Sequence, residues 1–214
     1  MSRKQEQRAE ETKRSILEAA GALFAERGYD AVTMREIAKK AGCSHTTIYL
    51  YFDDKETLLH QLAAPPLQSL KDEMERISAQ NKHPSDKLKE IFLAYIHFCL
   101  ANRSMHTIFF GAGASRVDEE EPALEINRLR IGLFRLLMRS LQEFLHIGQD
   151  DERLLAYSRI CYFTLYGIVA TYTPSKETVE QLMDRLSSTF HTAVDALLIG
   201  FQRLLKEEAN HHEN

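Results

Sequence analysis

The 214 residues are 44% hydrophobic and 27% charged, with nine glycines, five prolines and no tryptophan, a balance that suits a globular chain and favours helix over sheet. A formal net charge of −4 excludes a chain coated in basic residues, though not a local basic surface: up to Lys55, ten Lys and Arg stand against nine Asp and Glu, and the remainder is net acidic by five. Three scattered cysteines, Cys43, Cys99 and Cys161, in no CxxC spacing, exclude a disulfide framework and read as free thiols in a reducing compartment.

Residues 8–27 carry Ile16, Ala20 and Leu23 at helical spacing, and Gly28 follows as a C-terminal stop. The densely charged start, with Arg3, Lys4, Arg8, Lys13 and Arg14 alternating with Glu6, Glu10 and Glu11, lacks the apolar run of a signal peptide and reads as a frayed, solvated terminus. Thr33-Met34-Arg35-Glu36 is a capping box that opens a second helix ending near Gly42. Ser44 caps a third, expected to reach Tyr51-Phe52, and Asp53-Asp54 precede a fourth. Pro65-Pro66 should break or kink that fourth helix. Helical patterns then cover residues 67–79, 86–102, 123–146, 151–172 and 177–208. An acidic loop at 118–121 and a glycine-rich stretch at 111–115 interrupt them. The apolar run 160–172 comes nearest to a membrane span and is too short for one. The expectation is a cytoplasmic protein with no membrane partner.

The informative segment is MREIAKKAGCSHTTIYLYF, starting at Met34. A helix-turn-helix needs small residues where its helices cross, a glycine at the turn and apolar anchors under the second helix. Ala38 and Ala41 supply the first, Gly42 the second, and Ile37, Ile48 and Phe52 the third. The longer run ILEAAGALFAERGYDAVTMREIAKKAGCSHTTIYLYFDDKETLL resembles the DNA-binding domain of the tetracycline-repressor (TetR) family. It shares the first helix, the RGYDAVT link, the glycine turn, the Tyr-x-Tyr-Phe end and the following Lys-Glu.

That resemblance implies that Thr33 and Arg35 approach DNA from the second helix. It places Ser44, His45, Thr46 and Thr47 at the base-reading turn of the recognition helix. It also implies phosphate or sugar contacts from Tyr49 and Tyr51, and a phosphate contact from Lys55 at a helix N-terminus. Cys43 stands where the family commonly has valine and reads as a packing substitution. His45-Thr46 also departs from the common pattern, so no base preference carries over.

The expected fold is all-α, with a three-helix helix-turn-helix domain over residues 8–60 and an antiparallel helical bundle for ligand binding and dimerisation over 61–214. Ile160, Phe163 and Ile168, with Phe190, Val194, Leu197 and Phe201, offer more apolar surface than one amphipathic helix needs, and the resemblance makes them a homodimer interface. Phe92, Tyr95, Phe98, Phe109, Phe110, Phe134 and Tyr162, with Arg130 as a polar contact, are candidates to line a cavity for an apolar or amphipathic effector. No zinc spacing, P-loop, HExxH or GxSxG is present, so neither catalysis nor a cofactor or metal is expected. The expected function is ligand-responsive repression by a homodimer on a palindromic double-stranded DNA operator. A DNA-binding activator, or a helical ligand-binding protein with a vestigial helix-turn-helix, shares the same pattern.

Overall fold

A computed structural model describes residues 3–105 and 125–212, all-helical among the described residues. The expected cavity residues Phe109 and Phe110, the glycine-rich stretch 111–115 and the acidic loop 118–121 lie outside the described residues.

Helix α1 (Arg3–Arg27) starts earlier than the sequence pattern suggests, its charged first turns exposed and already helical. It buries Ile16, Ala19, Ala20, Leu23 and Phe24 on one face. Gly28 ends it at φ 78°, its N–H bonded to the Phe24 carbonyl at 2.9 Å, a left-handed conformation that a Cβ would strain. Helix α2 (Met34–Ala41) has the complete capping box: Glu36 N–H donates to Thr33 Oγ1 at 3.3 Å, and Thr33 N–H to Glu36 Oε2 at 2.9 Å. Gly42, at φ 73°, turns the chain toward the short α3 (His45–Ile48). The expected extension of α3 to Tyr51-Phe52 is corrected: after Ile48 the chain tightens, with Leu50 N–H bonded to Thr47 O at 3.1 Å.

Helix α4 (Lys55–Ser78) runs through Pro65 and Pro66, so of the expected break or kink the break does not occur. The prolines remove the amide donors that would serve the carbonyls of Gln61 and Leu62, yet their fixed φ suits a helix. Buried side chains on both sides keep the rod continuous. Leu58, Leu59 and Ala63 lie in the N-terminal core; Leu67, Leu70, Met74 and Ile77 lie in the bundle. The expected domain boundary at 60/61 therefore falls inside one helix.

The bundle continues with α5 (Pro84–Ala101), a 3-10 turn (Arg103–Met105), α6 (Glu125–Leu145), α7 (Glu152–Tyr172) and α8 (Val179–His212). Helix α6 packs on α4, α5 and α7, α5 packs on α8, and the 3-10 turn touches α1. Lys87, 6% exposed, joins three helices: its ammonium reaches Glu143 on α6 at 2.7 and 2.9 Å and the Ser78 carbonyl at the end of α4 at 3.2 Å. Such a buried cation is tolerated because all three donors are used. Cys99 and Cys161 are buried, and desolvation pushes both thiols up to about 12, which keeps them protonated and unreactive.

Helix α7 corrects the membrane reading. At 21 residues it is long and apolar enough to cross a membrane by length and composition, and about a third of its most apolar stretch is buried in the protomer. Leu154, Tyr157, Cys161, Leu165 and Val169 face the core. Ile160, Phe163 and Tyr166 face outward.

Candidate nucleic-acid interface and internal cavity

The reading turn is built from two kinds of residue. Ile37, Ala38, Ile48 and Phe52 are at most 1% exposed and fix the frame. Thr33, Arg35, Ser44, His45, Thr46 and Tyr49 are all exposed on it. Ser44 accepts the Thr47 N–H at 3.0 Å and its hydroxyl meets Thr47 Oγ1 at 2.7 Å, so both side chains are committed to the cap. His45 stands edge-on to Tyr49, ring centroids 5.2 Å apart, an arrangement that limits the rotamers of both. Tyr51 is half-buried against the core. Leu50, 78% exposed, is a surface residue that sequence reasoning passed over. Its signal was that Ile48 and Phe52 already fill the core positions around it.

Lys55 is placed differently from its expected role. Its ammonium donates to the carbonyls of Tyr29 and Val32, both at 2.8 Å, and sits 4.1 Å from the Tyr29 ring centre. Arg27 completes the arrangement, donating to the Ala31 carbonyl at 2.9 Å and to Glu36 Oε1 at 2.8 Å. Two cations thus satisfy three carbonyls of the glycine-led link between α1 and α2, and Lys55 ties that link to the start of α4. The Lys55 ammonium serves two carbonyls at the position where the resemblance implies a phosphate contact. Lys55→Met should lower stability by roughly 2–4 kcal/mol, since a hydrogen bond to a charged group contributes about 1.5–3 kcal/mol. Calorimetry of the variant checks this; unchanged melting would make Lys55 a surface charge after all.

The Arg27 and Thr33 hydrogen bonds hold the Glu36 carboxyl at about 2, below its ordinary 4.5. A depressed carboxylate contributes stability that is present above its unfolded value and lost as pH falls through the folded one. The α2 cap should therefore weaken between about pH 4.5 and 2. Glu36→Gln should remove that part of the acid sensitivity in pH-dependent amide-exchange measurements on α2.

Within the bundle, a cavity of about 30 Å³ lies between α4, α5, α6 and α7. Of the expected residues, Tyr95, Phe98, Arg130, Phe134 and Tyr162 line it. Phe92 does not: it is fully buried in the core. The sequence pattern missed Leu67, Leu70 and Met74, the wall that α4 contributes, because the proline pair hid their continuity with the preceding helix. His97 is exposed and opens onto a separate surface groove.

The expected interface residues divide. Ile160 and Phe163 are 40% and 64% exposed, and Ile168 and Leu197 are half-buried. Phe190, Val194 and Phe201 belong to the protomer's own core: Phe190 meets Tyr172 at 6.1 Å, and Phe201 stacks on Tyr157 at 4.4 Å. Tyr166, Ile199 and Leu204 are exposed instead.

Residues 16–62, which hold the frame and the exposed turn, match the family described as bacterial regulatory proteins, tetR family. The match covers 47 of the 214 residues and identifies that segment as a TetR-family domain. The relatives that the chain matches are transcriptional regulators. The chain is 35% identical to the transcriptional regulator AcrR of Shigella flexneri over 45% of this chain and 44% of that one, so this match spans less than half of that relative's length. It is 26% identical to the transcriptional repressor KstR of Rhodococcus jostii over 84% and 81% of the two chains. In fold, the chain resembles FadR of Bacillus subtilis, solved with stearoyl-CoA, at a TM-score of 0.61 and 22% identity over 86% of this chain and 96% of that one. KstR2 of Mycobacterium tuberculosis gives a TM-score of 0.62 at 22% identity, over 85% and 93%.

Proposed function

We propose that the chain is a cytoplasmic homodimeric repressor that holds a palindromic operator through its two reading turns and releases it when a small apolar or amphipathic molecule enters the bundle cavity. The observation that carries this reading is that α4 takes part in both cores, with Leu58 and Leu59 under the helix-turn-helix and Leu67, Leu70 and Met74 on the cavity wall. At about 30 Å³ the cavity has room for water but not for a ligand of the usual few hundred Å³. Any effector must therefore move a wall, and α4 is the wall joined to the DNA-binding part. A ligand that fits only the displaced arrangement shifts the population away from the operator-bound form.

The exposed apolar faces of α7 and α8 support the dimer, since one helix-turn-helix reads only a few base pairs. The working division places the reading domain before Pro65 and the sensing and pairing domain after it. One relative is a fatty acid metabolism regulator of Bacillus subtilis and another a ketosteroid transcriptional regulator, and an acyl or steroid-like effector suits the apolar wall.

The test is selection of bound genomic fragments followed by footprinting. The expected footprint is two-fold symmetric, with half-sites about one helical turn apart, and deleting the gene should raise transcription from the bound promoter. A fall in transcription would make the protein an activator. No salt-dependent affinity for any fragment would overturn DNA regulation altogether.

A further inference from the structure

The cavity wall is divided by chemistry as well as by helix. All of the α4 contribution is apolar: Leu67, Leu70 and Met74. The polar groups come from the other three helices: Tyr95 and Cys99 from α5, Arg130 from α6 and Tyr162 from α7. Arg130 is 9% exposed and is the only charged side chain among the described residues that line the space. Its Nη1 donates to Asn127 Oδ1 at 3.1 Å, and its positive charge opposes the burial that raises the Tyr162 phenol. Phe134 closes one side of that cluster, its ring set edge-on to Tyr162 with centroids 6.2 Å apart. Burial raises the Tyr95 phenol well above its ordinary value, so it remains a neutral hydrogen-bond donor.

We propose that the effector is an amphiphile with one carboxylate, its head taken by Arg130, Tyr162 and Tyr95 and its apolar tail laid against Leu67, Leu70 and Met74 of α4. The inference rests on the cavity being the effector site. An incoming carboxylate exchanges into hydrogen bonds that the guanidinium already makes with its partners, Asn127 among them. Charge-assisted bonds to a carboxylate are the stronger ones. The head is thus anchored on α5, α6 and α7, and only the tail reaches the helix joined to the DNA-binding part. Binding and release then depend on different ends of the ligand. Short acids occupy the head position and displace α4 little, and long acids displace it far enough to release the operator.

The experiment titrates the full-length protein with saturated monocarboxylates from hexanoate to hexadecanoate, each paired with the primary alcohol of the same length. Binding is read by calorimetry and operator release by fluorescence anisotropy on a selected genomic fragment. Long acids are expected to bind at least roughly tenfold more tightly than their alcohols and to release the operator. Hexanoate is expected to compete with them without releasing it. Arg130→Met should erase the acid preference, and Tyr162→Phe, which keeps the ring, should reduce it. Equal affinity of acids and alcohols for the unaltered protein overturns the proposal, whether or not Arg130→Met folds. Release by hexanoate at equal occupancy overturns the division between head and tail.

The neutral dye Nile red separates this proposal from the cavity reading beneath it. Dye bound by the unaltered protein and excluded by Leu70→Trp, with no acid preference, leaves the cavity as the effector site and removes the carboxylate. If neither dye nor acid binds, both fall.

Discussion

Replacing Arg35, His45, Thr46 and Tyr49 together with alanine is expected to reduce operator affinity at least about a thousandfold, to the level of non-specific binding. All four side chains are exposed, and none is among the buried residues that hold the frame. Each surface change should therefore alter stability by no more than about 0.5 kcal/mol. Anisotropy titrations on the operator and on unrelated DNA, at two salt concentrations, measure the specific and the electrostatic parts separately. Undiminished specific binding in a variant that melts normally would move the reading surface elsewhere. Thr47 is left out of this set because its amide and hydroxyl meet Ser44, and Lys55 because its ammonium holds the α1–α2 link.

The second large effect is expected from Phe163→Asp combined with Ile199→Asp. These side chains are 64% and 65% exposed on the protomer, so charge there costs little until a second copy covers them. Inside a paired interface, two uncompensated carboxylates per protomer would face apolar surface, and burying unpaired charge is strongly unfavourable. Sedimentation should show a dimer for the unaltered protein and a monomer for the variant, with unchanged helical content. Operator affinity should fall at least about a hundredfold, because each reading turn would then bind alone. A variant that stays dimeric would place the interface on another face.

What the sequence discloses depends on how far apart the interacting groups lie. The Thr33 and Ser44 caps and the Gly42 turn are legible because each is settled within a few residues. The apolar frame of Ile37, Ile48 and Phe52 is legible for the same reason. Lys55 is not, because its partners are carbonyls 26 and 23 residues away, and nothing in local spacing indicates that the fold delivers them. Helical periodicity likewise marks Phe190, Val194 and Phe201 as an apolar face, but not whether the protomer's own helices or a second copy covers it. The proline pair misleads in the other direction. Local chemistry calls for a break, and the packing of α4 against two cores outweighs it. Tyr95, Phe98, Arg130, Phe134 and Tyr162 were legible as cavity candidates through their chemical type, whereas Leu67, Leu70 and Met74 became visible only once α4 was continuous.

The proline pair also has a consequence for what holds the phase of α4. The family match ends at residue 62, and Pro65 follows three positions later, just where α4 leaves one set of buried neighbours for the other. A helix lacking two consecutive amide donors carries less of its continuity in backbone hydrogen bonds at that seam. The side chains that matter lie on either side of it. A change of helix phase at this joint would therefore be resisted by the buried side chains on either side of it rather than by the backbone.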